Sequence, residues 1–202
     1  METIVRILAT ALACLACAAC TVHEEKTIPL DPNPPTDAVK PERIRENIRK
    51  IGEDLPFVAM IKVTGELYMA GKEAVPYLLE ALKDDNPQRR SNAVFVLGEI
   101  GSPEAAKHIA YLLEDPVFEI RLEAARVLVK RGHADGIPVL IQGLDHDKYW
   151  VRLLSIDTLQ AATKQYFGYH ANDPPDRRHF SIRKWKNWWE TEGRGFRLVK
   201  NR

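Results

Sequence analysis

Apolar positions recur along residues 73–164 with the spacing of helices that bury one face. Val75, Leu78, Leu79 and Leu82 fall at i, i+3, i+4 and i+7, and Ala93, Val94, Leu97 and Ile100 repeat the spacing in a second run. A shift of 31 residues lays this double pattern over itself twice. Arg90, Arg121 and Arg152 then align, as do Leu78, Ile109 and Leu140; Leu82, Leu113 and Leu144; Ala93, Ala124 and Ser155; and Leu97, Leu128 and Leu159. A fixed period of this size is the mark of stacked units, each reading as helix, turn, helix.

Turn residues agree with the periodicity. Asn86-Pro87, Ser102-Pro103 and Asp115-Pro116 each put a capping side chain before a proline at the first helical position, where a missing N–H costs nothing. Asp135 is placed to cap a helix beginning at Gly136, and Gly101 and Gly132 close the second helices, where positive φ is favoured. One helical pair cannot hide its apolar faces alone, so neighbouring pairs must stack around a continuous core. The expected fold is all-α, an α-solenoid of stacked helical hairpins, with three repeats over residues 73–164. Residues 41–72 show helical spacing at Ile44, Ile48 and Ile51 and again around Val58, Ile61 and Tyr68, but lack the repeated arginine. They are expected to form a degenerate capping pair, and residues 165–202 a closing loop and helix.

The Asp-Pro opening, the Ile120-Arg121 and Val151-Arg152 pairs, and the Ala-x-x-x-Leu spacing from Ala93 to Leu97 and Ala124 to Leu128 resemble HEAT repeats, specifically the short bacterial type also found in phycobilisome lyases. The resemblance implies a structural ladder of arginine and carboxylate between adjacent repeats, formed from Asp85 with Arg90, Asp115 with Arg121 and Asp147 with Arg152. In such stacks the second helices line a concave wall. Reading outward along the register gives Gln88, Glu119 and Trp150; Phe95, Arg126 and Asp157; then Glu99 and Lys130 as partner-binding residues. Phe95 and Trp150 are either anchors for a partner or aromatics tucked against neighbouring repeats.

Beyond the repeats, Tyr166-Phe167-Gly168-Tyr169 leads through Asp173-Pro174-Pro175 into an expected helix over 177–191. This segment resembles the end of many bacterial HEAT-repeat proteins. Ile182, Trp185 and Trp189 share one face and are expected to seal the last repeat. Trp188, with Arg183, Lys184 and Lys186, offers a second face suited to lipid headgroups or another polyanion.

At the other end, the apolar run from Ile7 to Ala19 follows Arg6 and is shorter than the ~20 residues that span a bilayer. Residues 1–19 therefore read as a secretory signal. Cys17-Ala18-Ala19-Cys20 resembles the lipobox of bacterial lipoproteins, which implies lipidation of Cys20. Cys17 departs from that pattern, so cleavage by the general signal peptidase and modification at Cys14 or Cys17 stand as alternatives. Residues 20–40, with Pro29, Pro32, Pro34 and Pro35 and no helical periodicity, read as a disordered tether. The implied location is the cell envelope, lipid-anchored with the domain in the periplasm or at the cell surface, and Thr21 favours the outer membrane.

Composition narrows the chemistry. The formal net charge is +1, which gives no global field for nucleic acid, although residues 177–202 carry nine Lys/Arg against Glu190 and Glu192. All three cysteines lie in the first twenty residues, leaving the body without a disulfide, a metal-binding thiol or a thiol nucleophile. The six histidines show no metal-ligand spacing, and no nucleophile elbow, Walker loop or dinucleotide fingerprint occurs. No catalytic residue, metal or cofactor is expected. The resulting reading is a membrane-tethered module, not an enzyme, that binds a protein partner along its concave face as a scaffold or assembly factor. Its alternatives are a tetrapyrrole-handling enzyme like the bilin lyases, and a binder of acidic polymer or lipid headgroups through the basic carboxyl terminus.

Overall fold

A computed structural model describes residues 40–198. The expected signal over 1–19, Cys20, the expected tether up to residue 39, and Lys200 and Arg202 lie outside the described residues. Helices α1 (Pro41–Lys50), α2 (Phe57–Ala70), α3 (Val75–Ala81), α4 (Pro87–Ile100), α5 (Ala105–Tyr111), α6 (Phe118–Lys130), α7 (Ile137–Gly143), α8 (Tyr149–Thr163) and α9 (Pro175–Thr191) follow in order, with no strand among the described residues. The chain is an all-α solenoid. Helices α2, α4, α6 and α8 pack each on the next, and across from them α1 packs on α3, α3 on α5, and α7 on α9.

The repeated positions are the core. Leu78, Ile109, Leu140, Leu97, Leu128, Leu159, Ala93, Ala124 and Ser155 are all at most 2% exposed, so the 31-residue register is a register of buried contacts. Units share walls because each apolar face is covered by the next pair. The small residues at Ala93, Ala124 and Ser155 allow close helix approach. At Gly136, an added Cβ would stand 2.6 Å from the backbone oxygen of Ala125, a contact the chain cannot relax by turning a side chain.

Capping follows the expectation at Asn86, whose side chain accepts from the N–H groups of Gln88 (2.9 Å) and Arg89 (3.2 Å), with Pro87 opening α4. Gly101 ends α4 in the left-handed region at φ 74°. Other starts differ. Asp115 Oδ1 accepts the N–H of Val117 at 2.9 Å, an Asx turn that places Pro116 ahead of α6 instead of inside it. Ser102 uses its carbonyl toward the Ala105 N–H, and α5 has no side-chain cap. Asp135 sits within the 3₁₀ turn Ala134–Gly136, whose tight backbone bonds replace a side-chain cap before α7.

The ladder is also corrected. Arg90 crosses to the next unit and grips Asp115 with two bonds, Nε to Oδ2 at 2.8 Å and Nη2 to Oδ1 at 3.0 Å. Asp85 and Asp147 meet the arginines through their carbonyl oxygens, and Arg121 reaches Asp115 and Pro116 in the same way. Of the acids one register position earlier in the turn, Asp115 reaches between units, whereas Asp84 pairs with Arg89 of its own unit. In the third unit that place belongs to His146. Its Nδ1 accepts the Lys148 N–H at 3.0 Å, as Asp84 and Asp115 accept from Asn86 and Val117, but it offers Arg121 no carboxylate. The imidazole instead stacks on Phe118, over whose ring Arg121 also lies. His146→Asp is therefore expected to add a rung and stabilise the fold by roughly 1 kcal/mol. Urea denaturation of His146→Asp with and without Arg121→Ala checks this; a gain that survives loss of Arg121 refutes the rung.

At the end of the stack α9 lies on α7, and Trp185 is fully buried with its ring 4.8 Å from Phe167, edge to face. Ile182 is buried beside it. The third sealing residue is Trp188, 4% exposed, while Trp189 is half-buried, opposite to the expected assignment. The 3₁₀ turn Gly193–Gly195 folds the chain back so that Phe196 meets Trp188 at 5.6 Å, which removes Trp188 from any interfacial role. The loop before α9 is stitched to α8 and its neighbours. Tyr169 donates its hydroxyl to the Leu144 carbonyl at 2.5 Å, and burial pushes the phenol up to about 12. Arg152 Nε donates to the Ala171 carbonyl at 2.9 Å, and Ser181 Oγ to that of Gly168 at 3.0 Å.

Candidate functional site

Three of the second helices, α4, α6 and α8, carry every residue assigned to the recognition wall. Near their amino-terminal ends Gln88 is exposed, Glu119 is half-buried and Trp150 is half-buried. Lys148 links two of these: its ammonium pairs with Glu119 at 2.5 Å and stands 5.9 Å from the centre of the Trp150 ring. That hydrogen bond holds the Glu119 carboxyl below its ordinary value. Trp150 packs partly against the carboxyl-terminal part of the core, and Phe95, also half-buried, against the amino-terminal part. Each aromatic thus has one edge in the core and one toward solvent.

Further along, the placement of Arg126 differs from expectation. It is only 8% exposed, its Nη1 paired with Glu123 Oε2 one turn earlier. Position 126 lies where α6 is flanked by both α4 and α8, so the long stem is covered and only part of the guanidinium reaches the surface. Asp157 is exposed on α8, yet local burial raises its carboxyl above the ordinary value against the pull of Arg126. Lys130 is lowered, first by desolvation and then by Arg126, with Glu123 and Glu99 opposing. Glu99 on α4, Glu123, Arg126 and Lys130 on α6, and Asp157 on α8 therefore share one electrostatic field across three units.

The sequence reading missed Glu123 and Lys148. Glu123 was visible as the i, i+3 partner of Arg126. Lys148 was not, because its pairing with Glu119 spans 29 residues and depends on how α8 lands beside α6. Such an arrangement suits recognition of a polar surface with apolar projections. Among the described residues no three His, Cys, Asp or Glu side chains stand close enough to hold a metal ion, and no helix is long and apolar enough to cross a membrane.

Residues 75–160 match the family of HEAT repeats. Over 77 residues the chain is 36% identical to the uncharacterized protein SkfG of Bacillus subtilis (strain 168), a match covering 37% of this chain and 44% of that relative, so the chain spans less than half of the relative's length. The solved complex of CpcE and CpcF of phycocyanin lyase from Nostoc sp. PCC7120 is similar at 21% identity and a TM-score of 0.48, covering 75% of this chain and 91% of that one. That complex is a lyase's, and the expectation that this protein is not an enzyme is withdrawn. The missing local motifs excluded little, since a helical stack assembles its sites from residues distant in sequence. The 31-residue register, the two layers of stacked helices and the family match converge on residues 75–160, which are similar to HEAT repeats.

Proposed function

We propose that the protein is a HEAT-repeat scaffold that recognises a protein partner along α4, α6 and α8, held at a membrane of the cell envelope by lipid on Cys20. The supporting observation is the partly desolvated charge of Lys130, Arg126 and Asp157 on the same three helices that carry two half-buried aromatics, Phe95 and Trp150. Charges of this kind have already lost part of their hydration, so closing a partner over them costs less than covering fully solvated ones. Aromatics with an anchored edge lose little side-chain freedom on binding.

The test is photo-crosslinking in cells from positions 95 and 150, with Tyr111, 78% exposed on α5 in the other layer, as the reference. A discrete adduct from 95 and 150, absent from 111, is expected. Equal capture at all three positions, or capture from 111 alone, overturns the assigned face. The anchoring half has its own readout. Cys20→Ala is expected to abolish fatty-acid labelling and release the protein from the membrane fraction, and unchanged labelling refutes lipid at that residue.

A further inference from the structure

Between the first two repeats lies a cleft of about 370 Å³ that the sequence did not suggest. Its floor is apolar, made by Leu97 of α4, Ile109 of α5 and Val127 of α6. Lys130, Arg131 and His133, where α6 ends, also line the cleft, and no carboxylate is among the lining residues. The walls are fixed. Arg131 Nη2 donates to the Gly98 and Glu99 carbonyls at the end of α4, bracing one unit against the next. Gly98 has no side chain because Val127 already occupies the space: an added Cβ would lie 2.7 Å from its Cγ2.

We propose that this cleft binds a small amphiphile with an apolar body and an anionic head, such as a carboxylate, with Lys130 as its counter-ion. The volume falls within the range of small-molecule sites, and an apolar floor with a few convergent polar groups is their usual make-up. Charge decides the class of ligand, because every ionisable side chain lining the cleft is a base. Among the described residues no carboxylate lies within 4.0 Å of the Lys130 ammonium, and Glu99 and Glu123 act on it only from a distance. An ammonium partly stripped of water and lacking a near partner gains more from an incoming anion than a fully hydrated one does. A neutral apolar molecule would fill the floor and leave that gain unused.

Isothermal titration of the full chain with decanoate, 1-decanol and acetate tests the assignment. Decanoate is expected to saturate one site, acetate to bind immeasurably weakly for want of a body, and decanol to bind more weakly than decanoate. Lys130→Met keeps the stem and removes the charge, and is expected to weaken decanoate by about tenfold or more while sparing decanol. Ala106→Phe, which fills the cleft from α5, is expected to abolish both. Decanoate binding unchanged in either variant, or no saturable binding to the parent, overturns the proposal. Should a variant unfold, acylation of the parent by an amine-reactive reagent gives an independent answer: decanoate must protect Lys130 selectively, and equal labelling with and without it counts against the site. The cleft shares Lys130 with the recognition wall, but Ala106→Phe leaves positions 95 and 150 untouched, so failure of one reading leaves the other's readout intact.

Discussion

Trp185→Ala is expected to destabilise the domain by about 3–5 kcal/mol. Trp185 is fully buried at the end of the stack, with Phe167 at 4.8 Å and Trp188 at 5.8 Å. Truncation removes the largest of the fully buried side chains and leaves a void that α9 and the loop carrying Phe167 cannot close without giving up their other contacts. Among these is the hydrogen bond of the buried Tyr169 to the Leu144 carbonyl. Chemical denaturation followed by circular dichroism gives the loss directly. Phe180→Ala, at an exposed site on the same helix, serves as the comparison and is expected to change stability by no more than about 0.5 kcal/mol. Similar losses for the two would mean that α9 does not seal the solenoid.

Asp115→Ala is expected to cost about 3–5 kcal/mol, because it leaves the guanidinium of Arg90 without its carboxylate in a site that water barely reaches. The two side chains are 4% and 11% exposed. Both carboxylate oxygens are engaged, Oδ1 by Arg90 and by the Val117 N–H, so the same change also removes the turn that starts α6. Asp147→Ala separates this account from the simpler one, in which any acid near a repeated arginine contributes. Asp147 is exposed and meets Arg152 through its backbone, so its replacement is expected to stay within about 0.5 kcal/mol. Unfolding free energies that match for the two variants would dismiss the ladder described above.

Legibility of the sequence depended on the distance over which each feature is decided. Leu78, Ile109 and Leu140 announced themselves because helix periodicity is a property of a dozen neighbouring residues, and their burial follows once like units repeat. The ladder was read one residue out of place, since assigning Asp85 and Asp147 required knowing where the turn bends. Trp188 and Trp189 are adjacent, and helical spacing from Ile182 and Trp185 favoured Trp189. The returning Phe196 reversed that choice by covering Trp188. Arg126 looked outward on its own helix, and its burial came from the helices on either side. Catalysis was set aside for want of local motifs, a weak ground in a fold where neighbours in space are a whole repeat apart in sequence.

What the chain determined by itself is the helical hairpin, its 31-residue recurrence and hence the stacked all-α architecture. These follow from apolar spacing and turn chemistry within one unit, and from the inability of a lone pair of helices to hide its oily side. Tertiary structure alone decided which carboxylate bridges two units, which tryptophan closes the end, how charge is shared across α4, α6 and α8, and that a cleft lined in part by bases lies between two repeats. Each of those outcomes depends on the angle and depth at which one unit meets the next, a relation set by packing between side chains about thirty residues apart and written in no local pattern.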